Sequence, residues 1–476
     1  MTMRTAIVVG AVVVLALAGA GAAALVIRPE LPPLASGTRP AFDPALVQRG
    51  AELAAVGDCN TCHTAPGGRT FAGGLGIPTP FGTIYSTNIT PDTETGIGQW
   101  SEAAFRRAMR EGVDREGRHL YPAFPFDHFT LVSDDDDRAL YAFLMTRAAA
   151  RAPAHPNDLP FPLTLRPLLA GWKLLFLHHG PYVPDPAHDA TWNRGAYLVE
   201  GIGHCGACHT PRNALGAEKS RQAFDGGDAE GWRAFTINAA SQSPVPWNAD
   251  SLYAYLRQGW HTLHGVARGP MAPVADNLAT VSDQDVKAVA VYVAALIGQP
   301  TPDRDREGHD LVAAAKNSGN GSKPQSGGSQ TVAAATPGGD AGAMIYQSAC
   351  ASCHDSGRPV PYGGMSLTLS TAVSADSPRN LINVVLGGVA AANGTRGPIM
   401  PPFAATLTDP QIVALTGYLR TTFSRKGAWP DVAGDLHDAR ASVAASSTLA
   451  SSTLASGTAD PASLAGAAAP AAGNKR

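Results

Sequence analysis

The chain has 476 residues, too many for one hydrophobic core and enough for three modules of roughly 100 residues joined by connectors. Its 36 basic side chains against 39 acidic ones leave a formal net charge of −3. That balance excludes nucleic acid as an expected partner and gives no electrostatic pointer to another.

Arg4 precedes an uncharged, mostly apolar run over residues 5–27, which Arg28-Pro29-Glu30 closes. A secretory apolar region usually has about 7–15 residues and a spanning helix about 20, so the run is expected to be a retained transmembrane helix. Residues 1–40 are then a signal anchor and an extended lead-in. Cleavage among the small residues of 18–24 is the competing reading.

The first module is expected over residues 41–150. Residues 43–56 read as its N-terminal helix, with Leu46, Val47, Ala51 and Leu53 on the apolar side. Cys59-Asn60-Thr61-Cys62-His63 follows at once. The phrase returns as Cys205-Gly206-Ala207-Cys208-His209 and as Cys350-Ala351-Ser352-Cys353-His354. Each is Cys-x-x-Cys-His, the attachment site of a c-type haem. The thiols add to the porphyrin vinyl groups, and the next residue, His63, His209 or His354, becomes the proximal iron ligand. One Cys-x-x-Cys could be half of a zinc site or a redox pair. Three copies, each followed by His, with no cysteine left over, favour three covalently bound haem c groups. No disulfide and no free thiol is expected. Such attachment takes place outside the bacterial inner membrane, so the expected localisation is the inner membrane, periplasmic side, with a single N-terminal anchor. The aromatic share of 7% suits helical domains whose cores a porphyrin completes.

After the first motif, Pro66, Gly67-Gly68, Gly73-Gly74, Pro78 and Pro80 dictate loop, and helix returns over 101–111 behind the cap Ser101. Another helix begins at Ser133. The four aspartates that follow, residues 134–137, compensate the helix dipole, with calcium binding as the rival reading. Residues 151–188 form a Pro-rich, apolar connector. Its Leu163, Leu165, Leu168, Leu169, Trp172, Leu174, Leu175, Phe176 and Leu177 should be buried on a module, a partner subunit or a membrane surface.

The second module, 189–300, repeats the first, with helices expected over 193–200, 249–258 and 282–296. Cys59 to Trp100 spans 41 residues and Cys205 to Trp247 spans 42, so the register can be counted. Twenty-four residues beyond Trp247 lies Met271, in Gly269-Pro270-Met271-Ala272-Pro273; the same count from Trp100 reaches Phe124, in Tyr121-Pro122-Ala123-Phe124-Pro125. A c-type iron commonly takes a methionine sulfur from a proline-stiffened loop. Met271 and Met400 suit that role, whereas Phe124 cannot ligate. Met109 and Met145 match helix positions of the second module, Leu256 and Tyr292. His128, four residues past Phe124, is the candidate distal ligand of the first haem, with a surface or propionate-bonding role as its alternative.

Residues 301–342 lose all apolar periodicity and read as a flexible linker. The third module, 343–428, has helices expected over 378–386 and 409–421, and residues 429–476 read as a disordered tail. The expected fold is therefore mainly α: three tandem cytochrome c-like domains with an N-terminal transmembrane helix.

Three such modules, with Thr87-Asn88-Ile89-Thr90-Pro91-Asp92 and Gly96-Ile97-Gly98-Gln99-Trp100 after the first motif, resemble the three-haem cytochrome c subunits of bacterial membrane-bound dehydrogenases. The resemblance covers residues 41–300 and 341–425. It implies an electron-transfer subunit that passes electrons from a dehydrogenase catalytic subunit to ubiquinone, a quinone of the membrane. Where the alcohol and gluconate branches resemble Tyr-Pro-Ala-Met-Pro-Tyr, this chain has Phe124 and then Asp127-His128-Phe129. That departure resembles the branch serving molybdenum-containing aldehyde dehydrogenases, whose catalytic partners carry molybdopterin and an iron-sulfur subunit; a quinoprotein alcohol or flavoprotein gluconate dehydrogenase is the alternative. No nucleotide loop and no Gly-x-Ser-x-Gly elbow marks the chain as the catalytic subunit itself. A peroxidase-like enzyme or a haem sensor with an open first haem remains the reading of another class.

Overall fold

The computed structural model describes residues 26–35, 41–318, 339–390, 397–424 and 426–441, together with Gly21. The chain is mainly helical and forms two compact units that divide between Val183 and Pro184.

In the first unit, helix α1 (Pro44–Val56) starts where the Asp43 carboxylate accepts the Ala45 N–H and Pro44 supplies a preset φ. One helical turn, Cys59–Cys62, follows. Strands β1 (Gly76–Thr79) and β2 (Gly82–Tyr85) form a short antiparallel hairpin in the loop. Helix α2 (Glu102–Glu111) is capped by Ser101 and ended by Gly112 at φ 58°. A single turn, α3 (Phe126–Phe129), precedes α4 (Asp134–Met145), which Ser133 caps.

Helices α1 and α4 cross at Gly50, where a Cβ would stand 1.9 Å from the Ala139 carbonyl oxygen. Beside the crossing, Arg49 grips both carboxylate oxygens of Asp136 at 3.0 and 3.1 Å. Two of the other three aspartates of that run also lie close to an arginine: Asp134 and Asp137 stand 2.8 and 2.6 Å from Arg110. Arginine pairing and a helix N-terminus thus suit three of the four aspartates. Asn88, buried in the Thr-Asn-Ile-Thr-Pro-Asp stretch, donates to the carbonyl of Ala150 at 2.6 Å and accepts the Thr90 N–H at 2.9 Å. It fastens the loop to the end of its module.

The N-terminal transmembrane helix expected from the sequence, and with it the single-anchor localisation in the inner membrane, is not supported. Among the described residues no helix is long and apolar enough to cross a membrane. Most of the apolar run (5–20 and 22–25) lies outside the described residues. The stretch 27–35 is an extended strap, because Pro29, Pro32 and Pro33 cannot continue a helix. It is held by Arg107 on the carbonyl of Pro29 (2.7 Å), by Leu31 N–H on Arg115 (2.9 Å) and by Leu34 N–H on Gln99 (2.9 Å).

The connector contains helix α5 (Leu168–Phe176). Much of its apolar surface is not covered by a module of this chain: Leu174 is 69% and Leu175 65% exposed, and Ala170, Lys173 and Leu177 are what it buries. Lys173 donates to the Gly112 carbonyl and to His119 Nδ1 (3.0 Å), 4.9 Å above the Phe126 ring. His119 Nε2 meets the Val26 carbonyl at 3.1 Å, so its proton sits there and Nδ1 accepts. Burial first, then Arg28 nearby, brings the Lys173 ammonium down to about 7, against the opposing pull of Glu111 and Asp114. An unfolded lysine still holds its proton between pH 7 and its ordinary value, whereas folded Lys173 releases it, so this group makes stability rise with pH across that window. Lys173→Met is expected to remove that rise, read as melting temperature of the first unit at pH 7 and pH 9.5.

The second unit opens with α6 (Ala190–Ala196), capped by Asp189, which runs on through π-helical Tyr197–Ile202 into a turn, Gly206–His209. Strands β3 (Gly227–Ala229) and β4 (Trp232–Ala234) pair antiparallel. Helix α7 (Ala249–Gln258) starts in an Asn248/Ser251 capping box and ends at Gly259. Strands β5 (Trp260–His261) and β6 (Gly265–Val266) lead to α8 (Met271–Leu278) and α9 (Asp283–Ile297). The crossing of the first unit recurs: a Cβ on Gly195 would lie 2.1 Å from the Ala288 oxygen, and Arg194 grips Asp285 at 2.8 Å twice.

Residues 302–318, expected as part of the flexible linker, are helical: α10 (Pro302–Ser318). Its first turn carries Asp303 and Asp305, and Ala313-Ala314-Ala315 are strong helix formers. It is pinned by Arg304 on the Ser243 carbonyl at 2.8 Å. Residues 319–338 of that linker lie outside the described residues.

Helix α11 (Gly339–Ile345) passes through π-helical Tyr346–Cys350 into the third motif, and α12 (Arg379–Gly387) and α13 (Asp409–Phe423) complete the module. Its crossing is the same again, with a Cβ on Gly342 falling 2.3 Å from the Ala414 oxygen. Tyr346, Leu381, Val385, Leu415, Leu419 and Trp429 form the core. The expected disordered tail begins too early, since Trp429 is buried and residues 432–441 are helical. Leu436 and Ala439 join Ile382, Leu386 and Ile412 there, which explains the order. Residues 442–476 lie outside the described residues.

Candidate haem-binding sites

Each motif sets its two cysteines and the histidine on one helical turn, and each histidine is then fixed by a backbone oxygen. His63 Nδ1 lies 2.6 Å from the Thr87 carbonyl, His209 Nδ1 2.7 Å from Phe235, and His354 Nδ1 2.9 Å from Met365. A carbonyl can only accept, so Nδ1 carries the proton and Nε2 keeps its lone pair for a metal. Burial holds His63 and His209 below the ordinary imidazole range, against the opposing effect of those bonds, and so keeps them neutral. Burial likewise pushes the Cys59 and Cys205 thiols up to about 12 and Cys350 up to about 11. These are neutral thiols, suited to addition chemistry under assistance rather than to spontaneous thiolate reactivity.

The loops around the first two turns match bond for bond. Gly73 N–H donates to the His63 carbonyl and Gly226 N–H to that of His209, both at 2.8 Å. Phe71 and Phe224 are each held at left-handed φ, 65° and 61°, with their N–H groups on Thr64 Oγ1 and Thr210 Oγ1. A bulky residue adopts that conformation only where its surroundings compel it. In the third module, Gly364 lies against the imidazole: a Cβ there would stand 2.8 Å from His354 Nδ1.

A haem c fits these residues. Each turn offers two sulfurs and one free imidazole nitrogen. The second module also holds buried nitrogens with no partner in the protein, Arg268 Nε and His264 Nε2. His264 is stacked on Trp247 (ring centroids 3.5 Å), with Nδ1 3.3 Å from Ser243 Oγ. Arg268 Nε, a buried donor without an acceptor, suits a propionate of such a ring, and His264 Nε2 does so in the tautomer in which Ser243 Oγ donates to Nδ1.

Of the candidate distal ligands, Met271 opens α8, half-buried, after Gly269, where a Cβ would meet the Trp232 indole at 2.4 Å. Met400 exchanges both backbone hydrogen bonds with Val389 at 2.8 Å and packs on the module core. Phe124 turns to Phe129, ring centroids 5.2 Å apart. His128 is buried on α3. Met109 and Met145 are buried helix-core side chains, and both ring nitrogens of His119 are engaged as described. The partner carbonyls and the strained phenylalanines carry no residue-type signature, so sequence could not point to them. His264 and Arg268 had one signal, their place in the loop before Met271.

The family described as "Cytochrome C oxidase, cbb3-type, subunit III" matches residues 337–419. The chain is 44% identical over 425 residues to one of the subunits of nicotinate dehydrogenase from Pseudomonas putida, covering 88% of this chain and 34% of that protein. It thus spans about a third of that relative's length. It is 36% identical over 427 residues to the fructose dehydrogenase cytochrome subunit of Gluconobacter japonicus, covering 86% and 84% of the two chains. It is also 36% identical over 393 residues to the gluconate 2-dehydrogenase cytochrome c subunit of Pantoea cypripedii, covering 79% and 85%.

Proposed function

We propose, for a chain that belongs to the cytochrome c subunits of dehydrogenase complexes, that it is a three-haem electron relay between a catalytic subunit and a quinone. The observation that carries this reading is the threefold arrangement of a Cys-x-x-Cys-His turn whose histidine donates from Nδ1 to a backbone oxygen. When bound, haem c supplies one-electron exchange without proton transfer at the protein side chains. The protein's part is to hold and to orient. Cys59 and Cys62, Cys205 and Cys208, and Cys350 and Cys353 are the covalent anchors. His63, His209 and His354 are the proximal ligands, prevented from turning by Thr87, Phe235 and Met365. Met271, Met400 and His128 are the distal candidates.

Substrate oxidation then belongs to another chain. Phe124 in the Tyr121-Pro122-Ala123 loop favours a molybdopterin partner with an iron-sulfur subunit, of the aldehyde dehydrogenase kind. The similarity to a nicotinate dehydrogenase subunit adds that class of dehydrogenase to the partners to be tested. Phe124 also supports a second reading, an open first haem that binds small ligands; carbon monoxide binding to that haem alone is its signature.

The relay reading predicts three haems per chain by pyridine haemochrome assay of the matured protein, and two or fewer would contradict it. Purification of the native complex is expected to bring a dehydrogenase catalytic subunit with it. Quinone reduction by the complex, lost when the cytochrome chain is removed, tests the acceptor.

A further inference from the structure

Within the second unit, the second and third modules meet along a seam that reaches both proximal histidines. At its centre stands Asn380, the second residue of α12 and buried. Its Oδ1 accepts the Arg233 N–H at 2.9 Å, and its Nδ2 donates to the Arg233 carbonyl at 2.8 Å. One side-chain amide therefore completes the open edge of β4 as a neighbouring strand would. One turn further along α12, buried Asn383 donates to the Gly231 carbonyl at 2.9 Å. At the rim, Arg379 meets Asp228 at 3.3 Å in the open.

These two amides hold the segments that carry the axial candidates. Strand β4 is bonded to Asn380 through Arg233, two residues before Phe235, whose oxygen fixes His209. Trp232, on the same strand, is the surface on which Gly269 rests, two residues before Met271. On the other side, α12 ends at Gly388 (φ 64°), where a Cβ would strike the Met400 carbonyl at 2.5 Å. Met365, whose oxygen fixes His354, has its sulfur 3.4 Å from the Cβ position of Gly265 in β6. The seam thus runs from the loops bearing the axial candidates of one module to those of the other, through short rigid segments.

We propose that Asn380 and Asn383 are positioning residues that lock the second and third modules into one body and so fix the separation of the haems on His209 and His354. This rests on the relay reading. Electron exchange between two centres depends steeply on their distance, so two buried amides on backbone groups set its rate where a flexible junction would average it. A buried amide bonded in both directions is costly to remove, because the backbone groups left behind lose their partners. The exposed Arg379–Asp228 pair is screened by solvent and contributes little.

The test compares Asn380→Leu, Asn383→Ala and, as a control at the rim, Asp228→Asn in the full holoprotein. Two readouts are taken: hydrogen exchange of the Arg233 amide, and the rate of electron exchange between the second and third haems after rapid photoreduction. In Asn380→Leu the Arg233 amide is expected to exchange about tenfold faster or more. The inter-haem rate should fall severalfold while visible spectra and midpoint potentials of both haems stay as in the wild type. Asn383→Ala should show the same pattern more weakly, and so carries the test if the leucine variant does not fold; Asp228→Asn should change neither readout. Faster amide exchange with an unchanged inter-haem rate overturns the proposal, as does an unchanged amide. A wild type whose two haems exchange no electrons overturns the relay reading, and this inference with it.

Discussion

Gly342→Ala is expected to weaken the third module by about 3 kcal/mol, while Gly417→Ala in the facing helix strengthens it by about 0.5 kcal/mol. The two substitutions add the same methyl group to the same helix pair. At Gly342 that methyl would sit 2.3 Å from the Ala414 oxygen and 2.7 Å from the Tyr418 Cβ, so the helices must part. Backbone atoms cannot swing away as a side chain could. At Gly417 nothing stands within 4 Å, and alanine merely removes freedom from the unfolded chain. Denaturant unfolding of the full protein, followed at the third haem, separates the two; equal effects would mean that the crossing is not close-packed in solution. Gly50 and Gly195, with a carbonyl oxygen at 1.9 and 2.1 Å from a Cβ, should behave as Gly342 does in their own modules. Because each crossing is joined to the helical turn that bears the cysteines, haem retention should fall together with stability.

These crossings also show how far the fold was readable. Five helices, three of them in these crossings, were legible because their N-terminal ends are signposted. Asp43, Ser101, Ser133, Asn248 and Ser282 each cap a helix at or within a residue of the place their sequence predicts. The glycines at their centres were not legible as contacts, since a glycine in a helix announces only a missing side chain. The hairpins escaped notice because strands of two to four residues among glycines leave no alternation to read. Helix α10 was hidden by the Gly- and Ser-rich stretch that follows it, which dominated the composition of the whole linker. For the sites, the motif cysteines and histidines were plain, but the oxygens of Thr87, Phe235 and Met365 act through the main chain, where residue identity says nothing. For the exposed leucines of α5, the apolar pattern states a preference for burial and does not supply what covers it.

His128→Ala is expected to turn the first haem alone from low to high spin. The repeat puts Phe124 where the second module has Met271, and a phenyl ring has no lone pair to offer iron. The structure narrows the alternatives within the first module. Met109 and Met145 are buried in the helical core, and His119 spends Nδ1 on Lys173 and Nε2 on the Val26 carbonyl. His128 lies four residues beyond Phe124, buried on α3, with Phe129 beside it packed edge-to-face against the Phe124 ring. An imidazole donates more strongly to ferric iron than a thioether, so a His63/His128 pair gives the first haem the lowest potential of the three, other influences being equal. Met271→Ala and Met400→Ala should each act on their own haem in the same way but should not touch the first. Visible and EPR spectra of the three variants, set beside a redox titration, read all of this at once. Low-spin absorption that survives intact in His128→Ala would remove His128 from the ligand set. A first haem already high-spin in the wild type, and open to carbon monoxide, would instead favour the small-ligand reading over the relay at that position.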